Sequence, residues 1–246
     1  IFKVMISIII PTLNEEKNIY ALLRSIKSKV KGDYEIIVAD ADSADKTAEI
    51  AEFFNCKVVK GGLPARGKNE GAKYAEGDLL LFLDADVFLP DNFFEKSLEE
   101  FYKRNVDIAS FCVLPNSESK FLAWAFDVFY NGPIKFLEES LPHAATGILV
   151  KKDLFFKLNG FDESIKLAED HDLSRRAKKI GKSCGILRSE KVFVSTRRFE
   201  KDGWVKTGLK YFLCELHMVF LGPVRTDIFR YNYSHLKKIK KKIKLS

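Results

Sequence analysis

Glutamine is missing from all 246 residues, whereas lysine and glutamate are abundant, a composition that points towards a heat-adapted protein. Other scarcities exclude more. The four cysteines, Cys56, Cys112, Cys184 and Cys214, stand far apart with no C-x-x-C pair, so neither a disulfide framework nor a cysteine zinc site is expected. The histidines show no paired spacing that would suggest zinc either. No apolar run is long enough to span a bilayer: Tyr211 to Gly222 is short and is interrupted by Glu215 and His217. There is no internal repeat and no linker rich in glycine, proline or serine, so one domain is expected over residues 1–230, followed by a basic tail, 231–246. The opening apolar stretch alternates like a strand and lacks a small-residue cleavage site, which does not resemble a signal peptide. With the dispersed cysteines, this gives the expectation of a reducing, cytoplasmic setting.

What is present is a core and an unevenly placed charge. Hydrophobic residues make up 46% of the chain and charged residues 30%, enough for a sizeable globular interior. The formal net charge of +7 lies mostly in Lys237, Lys238, Lys240, Lys241, Lys242 and Lys244; without those six the body carries +1. A nearly neutral body has no basic field for nucleic acid, and the tail lacks the interleaved aromatics that stack on bases. In the tail, Leu236, Ile239 and Ile243 fall at i, i+3 and i+7 among the lysines, a pattern suited both to an interfacial helix on anionic lipid and to a solvated tail.

The first half alternates strand and helix. Apolar runs at Val4 to Ile10, Tyr34 to Ala39, Cys56 to Val59 and Asp78 to Leu83 are separated by segments with helical spacing, beginning with Ile19, Leu22, Leu23 and Ile26 after a candidate N-cap at Asn14. Continuous apolar strands with intervening helices predict an α/β fold with a mostly parallel central sheet covered by helices on both faces. Ligands of such sheets bind beyond the carboxyl ends of the strands. The polar residues concentrate there: Pro11-Thr12-Leu13-Asn14-Glu15, Asp40-Ala41-Asp42-Ser43 and Asp84-Ala85-Asp86. Asp84 and Asp86, one residue apart where a buried strand leaves the sheet, are expected to point the same way and suit a divalent cation held together with phosphate oxygens. The second half is less regular. Phe121 to Leu137 is aromatic-rich and broken at Asn131-Gly132-Pro133, a helix is expected from Glu169 to Gly181, and another from Trp204 to Leu221.

The segments SIIIPTLNEEKNI, EIIVADADSADKT, ARGKNEGAKYAEGDLLLFLDADV, NGFDE and EDHDLSRRAKKIG, in that order and spacing over most of residues 5–181, together resemble family 2 glycosyltransferases of the GT-A fold. The resemblance implies a Rossmann-like GT-A domain that transfers a sugar from a nucleotide diphosphate with inversion. It implies that Pro11, Thr12, Asn14, Glu15 and Asp40 hold the nucleoside, with Asp40 accepting from the base; Ala41 and Asp42 depart from the family's commoner Asp and Gly. Arg66 and Lys68, at the head of a helix expected over residues 68–75, fall where the family holds the diphosphate. Asp86 is implied as the principal ligand of Mn²⁺ or Mg²⁺, with Asp84 on ribose or on the metal through water. Asp170, second of the acidic pair Glu169-Asp170, is implied as the catalytic base, and His171 and Asp172 as its support. Arg197 and Arg198 could reach the diphosphate. The implied partners are a nucleotide-diphosphate sugar and a glycan, glycolipid or lipid-phosphate acceptor, without nucleic acid, the protein lying peripherally at the inner face of a membrane. Two rivals remain: a polyprenyl-phosphate sugar synthase, and a non-catalytic nucleotide-sugar-binding protein attached to a membrane by its tail.

Overall fold

A computed structural model describes residues 4–144, 146–226 and 228. Eight strands form one sheet in the order β3-β2-β1-β4-β7-β6-β8-β5: β1 (Ile6–Thr12), β2 (Tyr34–Asp40), β3 (Lys57–Lys60), β4 (Leu79–Phe82), β5 (Val87–Phe88), β6 (Ile108–Pro115), β7 (Ile148–Lys151) and β8 (Cys184–Val194). β1 to β4 are parallel, β7 is antiparallel to both β4 and β6, β6 and β8 are parallel, and β5 is antiparallel to β8. This is the expected mostly parallel sheet, and alternation along β1 shows why both faces are covered. Ile8 and Ile10 pack on one face with α1 (Glu16–Lys29), α2 (Thr47–Phe53) and α4 (Phe93–Lys103). Ile9 packs on the other with α3 (Pro64–Lys73), α7 (Lys152–Lys157) and α8 (Glu169–Lys179). Strand residues of opposite parity face opposite layers.

Two local readings change. Asn14 does not cap α1, which begins at Glu16 after Glu15; its backbone is left-handed, with φ 54°. It is held sideways instead, its N–H donating to Ser43 Oγ at 2.8 Å and its Oδ1 accepting from the Ala44 N–H at 2.8 Å. The break in the aromatic segment is a π-helical turn, Asp127–Asn131, joining α5 (Lys120–Phe126) to α6 (Gly132–Phe136). Asn131 is fully buried there and pairs with the Val113 backbone, accepting its N–H at 2.9 Å and donating to its carbonyl at 2.8 Å, which ties the turn to β6.

α3 matters most for the site. Pro64 at its first turn suits a helix start, where a missing N–H costs nothing. The helix thus begins four residues earlier than the sequence pattern suggests. It lies unusually close to β1 because Gly67 and Gly71 face the sheet: a Cβ at Gly71 would sit 2.5 Å from Ile9 Cγ2, and one at Gly67 3.0 Å from Pro11 Cβ. Gly71→Ala is therefore expected to destabilise the protein by up to about 2 kcal/mol, an overpacking cost of about 1–3 kcal/mol being offset in part by the roughly 1 kcal/mol gain in helix propensity. Urea denaturation of the variant checks this; an unchanged or raised midpoint would show that α3 can move out without loss.

Candidate active site

The carboxyl ends of β1 and β2 are locked by side chains. Asp40, the last residue of β2 and only 8% exposed, accepts from Thr12 Oγ1 at 3.0 Å and Ser43 Oγ at 2.6 Å through Oδ1, and from the Ser43 N–H at 2.8 Å through Oδ2. Oδ1 is thus saturated by the protein, and Oδ2 keeps one lone pair for another donor. Glu15 donates its backbone N–H to Thr47 Oγ1 at 2.8 Å, and its carboxylate receives Asn18. Pro11 lies at the end of β1 against α3, while Asp42 is an exposed, left-handed turn residue.

Lys68 is the centre of the second cluster. Because α3 starts at Pro64, Arg66 and Lys68 both lie within the helix; Arg66 is exposed, whereas Lys68 is 4% exposed. Its Nζ donates to Asp170 Oδ1 at 2.6 Å and to Glu169 Oε1 at 3.0 Å, and stands 5.1 Å from the centre of the Phe161 ring. Glu169 and Asp170 open α8, where the positive helix end favours carboxylates. Burial works against the Lys68 charge, but Asp170, Glu169 and Asp84 outweigh it and hold its pKa above the ordinary lysine value. The same crowding acts oppositely on Asp170. Burial pushes its carboxyl up to about 7, with help from Glu169 and Asp84, although Lys68 pulls it down. Three carboxylates share one cation, so one of them holds its proton unusually tightly.

Asp84 and Asp86 occupy the turn between β4 and β5, and their surroundings differ. Asp84 is within electrostatic reach of Lys68 and Asp170. Asp86 is drawn towards the end of β8 by the β5–β8 pairing and meets Arg197, the first residue of α9 (Arg197–Asp202), at 3.2 Å. Arg197 also reaches Glu15 at 3.5 Å, so it bridges the β1 loop and the β4 turn. Arg198 is placed on α9, but its side chain is not among those described. The donor set at Asp84 and Asp86 is all oxygen, from partly exposed residues at the strand ends, and fits a hard divalent ion.

Other residues of the site escaped the sequence reading. Asn69 donates to the Phe161 carbonyl at 2.9 Å and accepts the Phe161 N–H at 2.8 Å, clamping the NGFDE loop to α3. Arg176 extends the clamp, bonding Asp172 at 2.6 Å and the carbonyls of Leu158 and Gly160. The absence of a histidine pair in the sequence is overturned in space. His171 Nε2 stands 3.0 Å from His143 Nε2 and 3.4 Å from Glu215 Oε1, with Tyr130 Oη 3.0 Å from His143 Nε2. Ligating atoms of His143, His171 and Glu215 lie within 4.8 Å of one another, so the described residues include a group able to hold a divalent cation. Burial, and then the Arg175 cation, lower the His143 pKa to about 3; burial, His143 and Arg175 lower that of His171 as well. Both rings are therefore neutral at physiological pH, the form that ligates metals. Sequence spacing could not find this group, because its members come from a loop, from α8 and from α10 (Trp204–Phe220).

Among known proteins, the sequence model described as Glycosyl transferase family 2 matches residues 7–156. The chain is 27% identical over 177 residues to an uncharacterized glycosyltransferase of Haemophilus influenzae, covering 68% of this chain and 60% of that protein. It is 37% identical over 112 residues to a dolichol-phosphate mannosyltransferase of Pyrococcus furiosus, covering 42% of this chain and 32% of that one. Solved structures share the fold: mannosyltransferase PcManGT of Pyrobaculum calidifontis, in complex with GDP-Man and Mn²⁺, superposes with a TM-score of 0.65 at 19% identity over 78% of this chain and 57% of that one. TarS 1-349 of S. aureus, in complex with UDP-GlcNAc, gives 0.62 at 22% identity over 78% and 58%. The chain thus spans at most 60% of the length of each of these relatives.

Proposed function

Because the chain belongs to glycosyl transferase family 2, we propose that it transfers a sugar from a nucleotide-diphosphate sugar to a hydroxyl acceptor, with metal assistance and inversion, in glycan or glycolipid assembly. The observation that carries this reading is the Lys68 cluster, which places a buried carboxyl of raised pKa, Asp170, on the same cation as Glu169 and within electrostatic reach of Asp84 at the β4 end. Donor residues and a base are then neighbours, as displacement at an anomeric carbon requires. In this reading Pro11, Thr12, Asn14, Glu15 and Asp40 bind the nucleoside, Asp40 through the remaining lone pair of Oδ2. Arg66 faces the diphosphate at the head of α3, Arg197 approaches it from the other side, and Arg198 belongs with it by position. Lys68 holds Asp170 in place and keeps its charge close to the reacting centre. Asp170 takes the acceptor hydroxyl's proton at a carboxylate oxygen as the oxygen attacks.

Asp86, with Asp84, would hold Mn²⁺ or Mg²⁺. Such an ion, when bound, offsets the charge that develops on the departing diphosphate. Asp86→Asn is expected to abolish metal-dependent binding of nucleoside diphosphate while leaving the fold intact, measured by calorimetry with and without Mn²⁺. Unchanged metal-dependent affinity in a folded variant would remove Asp86 from the site.

A lipid-phosphate acceptor is the second reading, favoured by exposed apolar side chains such as Phe121, Phe136, Phe212 and Phe220. A phosphate acceptor is already largely ionised at neutral pH, its second pKa being about 6, so the base would matter less. We place the protein on the cytoplasmic face of a membrane, with the basic tail of residues 231–246 attached to anionic lipid. That tail lies outside the described residues, and no described helix is long and apolar enough to cross a bilayer.

A further inference from the structure

The largest feature that sugar transfer leaves unused is apolar and outward-facing. α10 buries Cys214 and Met218 against Leu167 and Val224. Its opposite side carries Leu209, Phe212, Leu213, Leu216, Val219 and Phe220, spaced i, i+3, i+4, i+7, i+10 and i+11, all exposed and Phe220 by 78%. The segment from α5 to α6 repeats the pattern: Phe121, Trp124, Phe129 and Phe136 are 53–88% exposed, and α5 buries no residue at all. Phe199 on α9 joins the two, 5.9 Å from the Phe126 ring, stacked 4.7 Å from Trp204 and 6.2 Å from Tyr211. Large exposed apolar side chains are usually scattered singly; here they are gathered on adjoining helices. Lys120, Lys135, Lys206 and Lys210 lie on the same segments.

The inner sides of these elements face the two histidines next to the proposed base. Glu215 of α10 lies 3.4 Å from His171, and Tyr130 of the π-helical turn 3.0 Å from His143; His171 follows Asp170 in the chain. One helix, about 10 Å across, therefore separates the apolar surface from the surroundings of Asp170.

We propose that this surface seats the protein in the boundary between head groups and acyl chains of an anionic bilayer. Phenylalanine and tryptophan projecting beside lysines are the chemistry of a helix lying in that plane. No described helix is long and apolar enough to cross the bilayer, so the stripe lies on it. The chain also continues from Ile228 to the six lysines at 237–244, which supply charge for the same anionic surface. Seating itself is independent of the transfer reading. Its consequence rests on that reading: an amphiphilic acceptor keeps its hydrocarbon in the bilayer while its head group reaches Asp170.

The test uses the full chain. Trp124 and Trp204 are its two tryptophans, so Trp204→Phe keeps an aromatic ring against Phe199 and leaves Trp124 as the sole reporter. With vesicles of phosphatidylcholine and phosphatidylglycerol carrying brominated acyl chains, Trp124 emission is expected to be quenched. The quenching should persist in ~1 M salt, where the Debye length of about 3 Å screens the lysines. A full-length variant with Phe212→Asp, Leu216→Asp and Phe220→Asp is expected to lose vesicle affinity roughly tenfold or more at that salt, because charge on the embedded face opposes insertion. Its circular dichroism and nucleotide-sugar binding should be kept. Binding that occurs only at low salt, without quenching, would overturn the proposal in favour of the tail alone. Absence of vesicle binding would also overturn it, and a dimer in light scattering that the triple variant dissociates would then assign the surface to a second copy of the chain. The quenching arm decides the matter even if the triple variant fails to fold.

Discussion

Replacement of Asp170 by Asn is expected to lower turnover by roughly 10²–10⁴-fold, the usual contribution of a positioned general base, while donor affinity stays within a few-fold of the parent. The amide has nearly the same shape but cannot accept a proton, and Glu169 remains to receive Lys68. Single-turnover transfer and donor affinity measured on one preparation separate the outcomes. Loss of donor affinity with preserved turnover would move Asp170 to the nucleotide side, and full activity would favour a phosphate acceptor that is already ionised. The raised pKa adds a sign. A base held at about 7 is protonated and inactive below that pH, so kcat/KM of the parent should climb as pH rises through 7 and level off above it. In Asp170→Asn that rise should vanish.

Lys68→Met is expected to produce the largest loss of stability among single substitutions in the site. Lys68 is buried and paired with two acids whose side chains are only 12% and 14% exposed, so removing the cation leaves two nearly buried carboxylates uncompensated. Breaking a buried pair in this way costs about 3–5 kcal/mol, a fall in Tm on the order of 10 °C for a chain of this size. The pH dependence distinguishes this cause from lost packing. Without Lys68, which pulls it down, the Asp170 carboxyl has a folded pKa further above its unfolded one. The folded variant then binds more protons than the unfolded chain, and its stability is retained near pH 4 and lost as pH rises towards neutrality. Thermal melts of the parent and Lys68→Met from acid to neutral pH test this. A gap that stays constant with pH would mean that Lys68 acts by packing, and a missing gap would mean that the buried charge cluster does not form.

The parts of the site legible in the sequence were those encoded locally. β1, β2 and β4 announce themselves as β-branched or leucine-rich runs, and the polar residues that follow them stand at the carboxyl ends because parallel strands with intervening helices leave no other place for them. The sheet and the acidic start of α8 follow from the same periodicity. Pairings between distant segments were not legible. Lys68 looks like a solvent-facing helix-head cation until Gly67 and Gly71 bring α3 onto β1, and its partners Glu169 and Asp170 lie 101 and 102 residues away. The same holds for His171, whose partners His143 and Glu215 come from elements that only the fold brings together. Helical spacing in α10 shows that a stripe exists; only the packing of Cys214 and Met218 shows which stripe is turned outward.

The most direct test of sugar transfer at this site is thermal stabilisation by a panel of nucleotide-diphosphate sugars, each with and without Mn²⁺ or Mg²⁺, on the parent and on Asp86→Asn. A ligand that binds only the native state at 100 times its Kd raises stability by about 2.7 kcal/mol, well within the reach of a melting curve. At least one nucleotide sugar is expected to raise the Tm of the parent only when the metal is present, and to leave Asp86→Asn unmoved. Failure of every nucleotide sugar to stabilise the parent, with metal or without, would contradict the account.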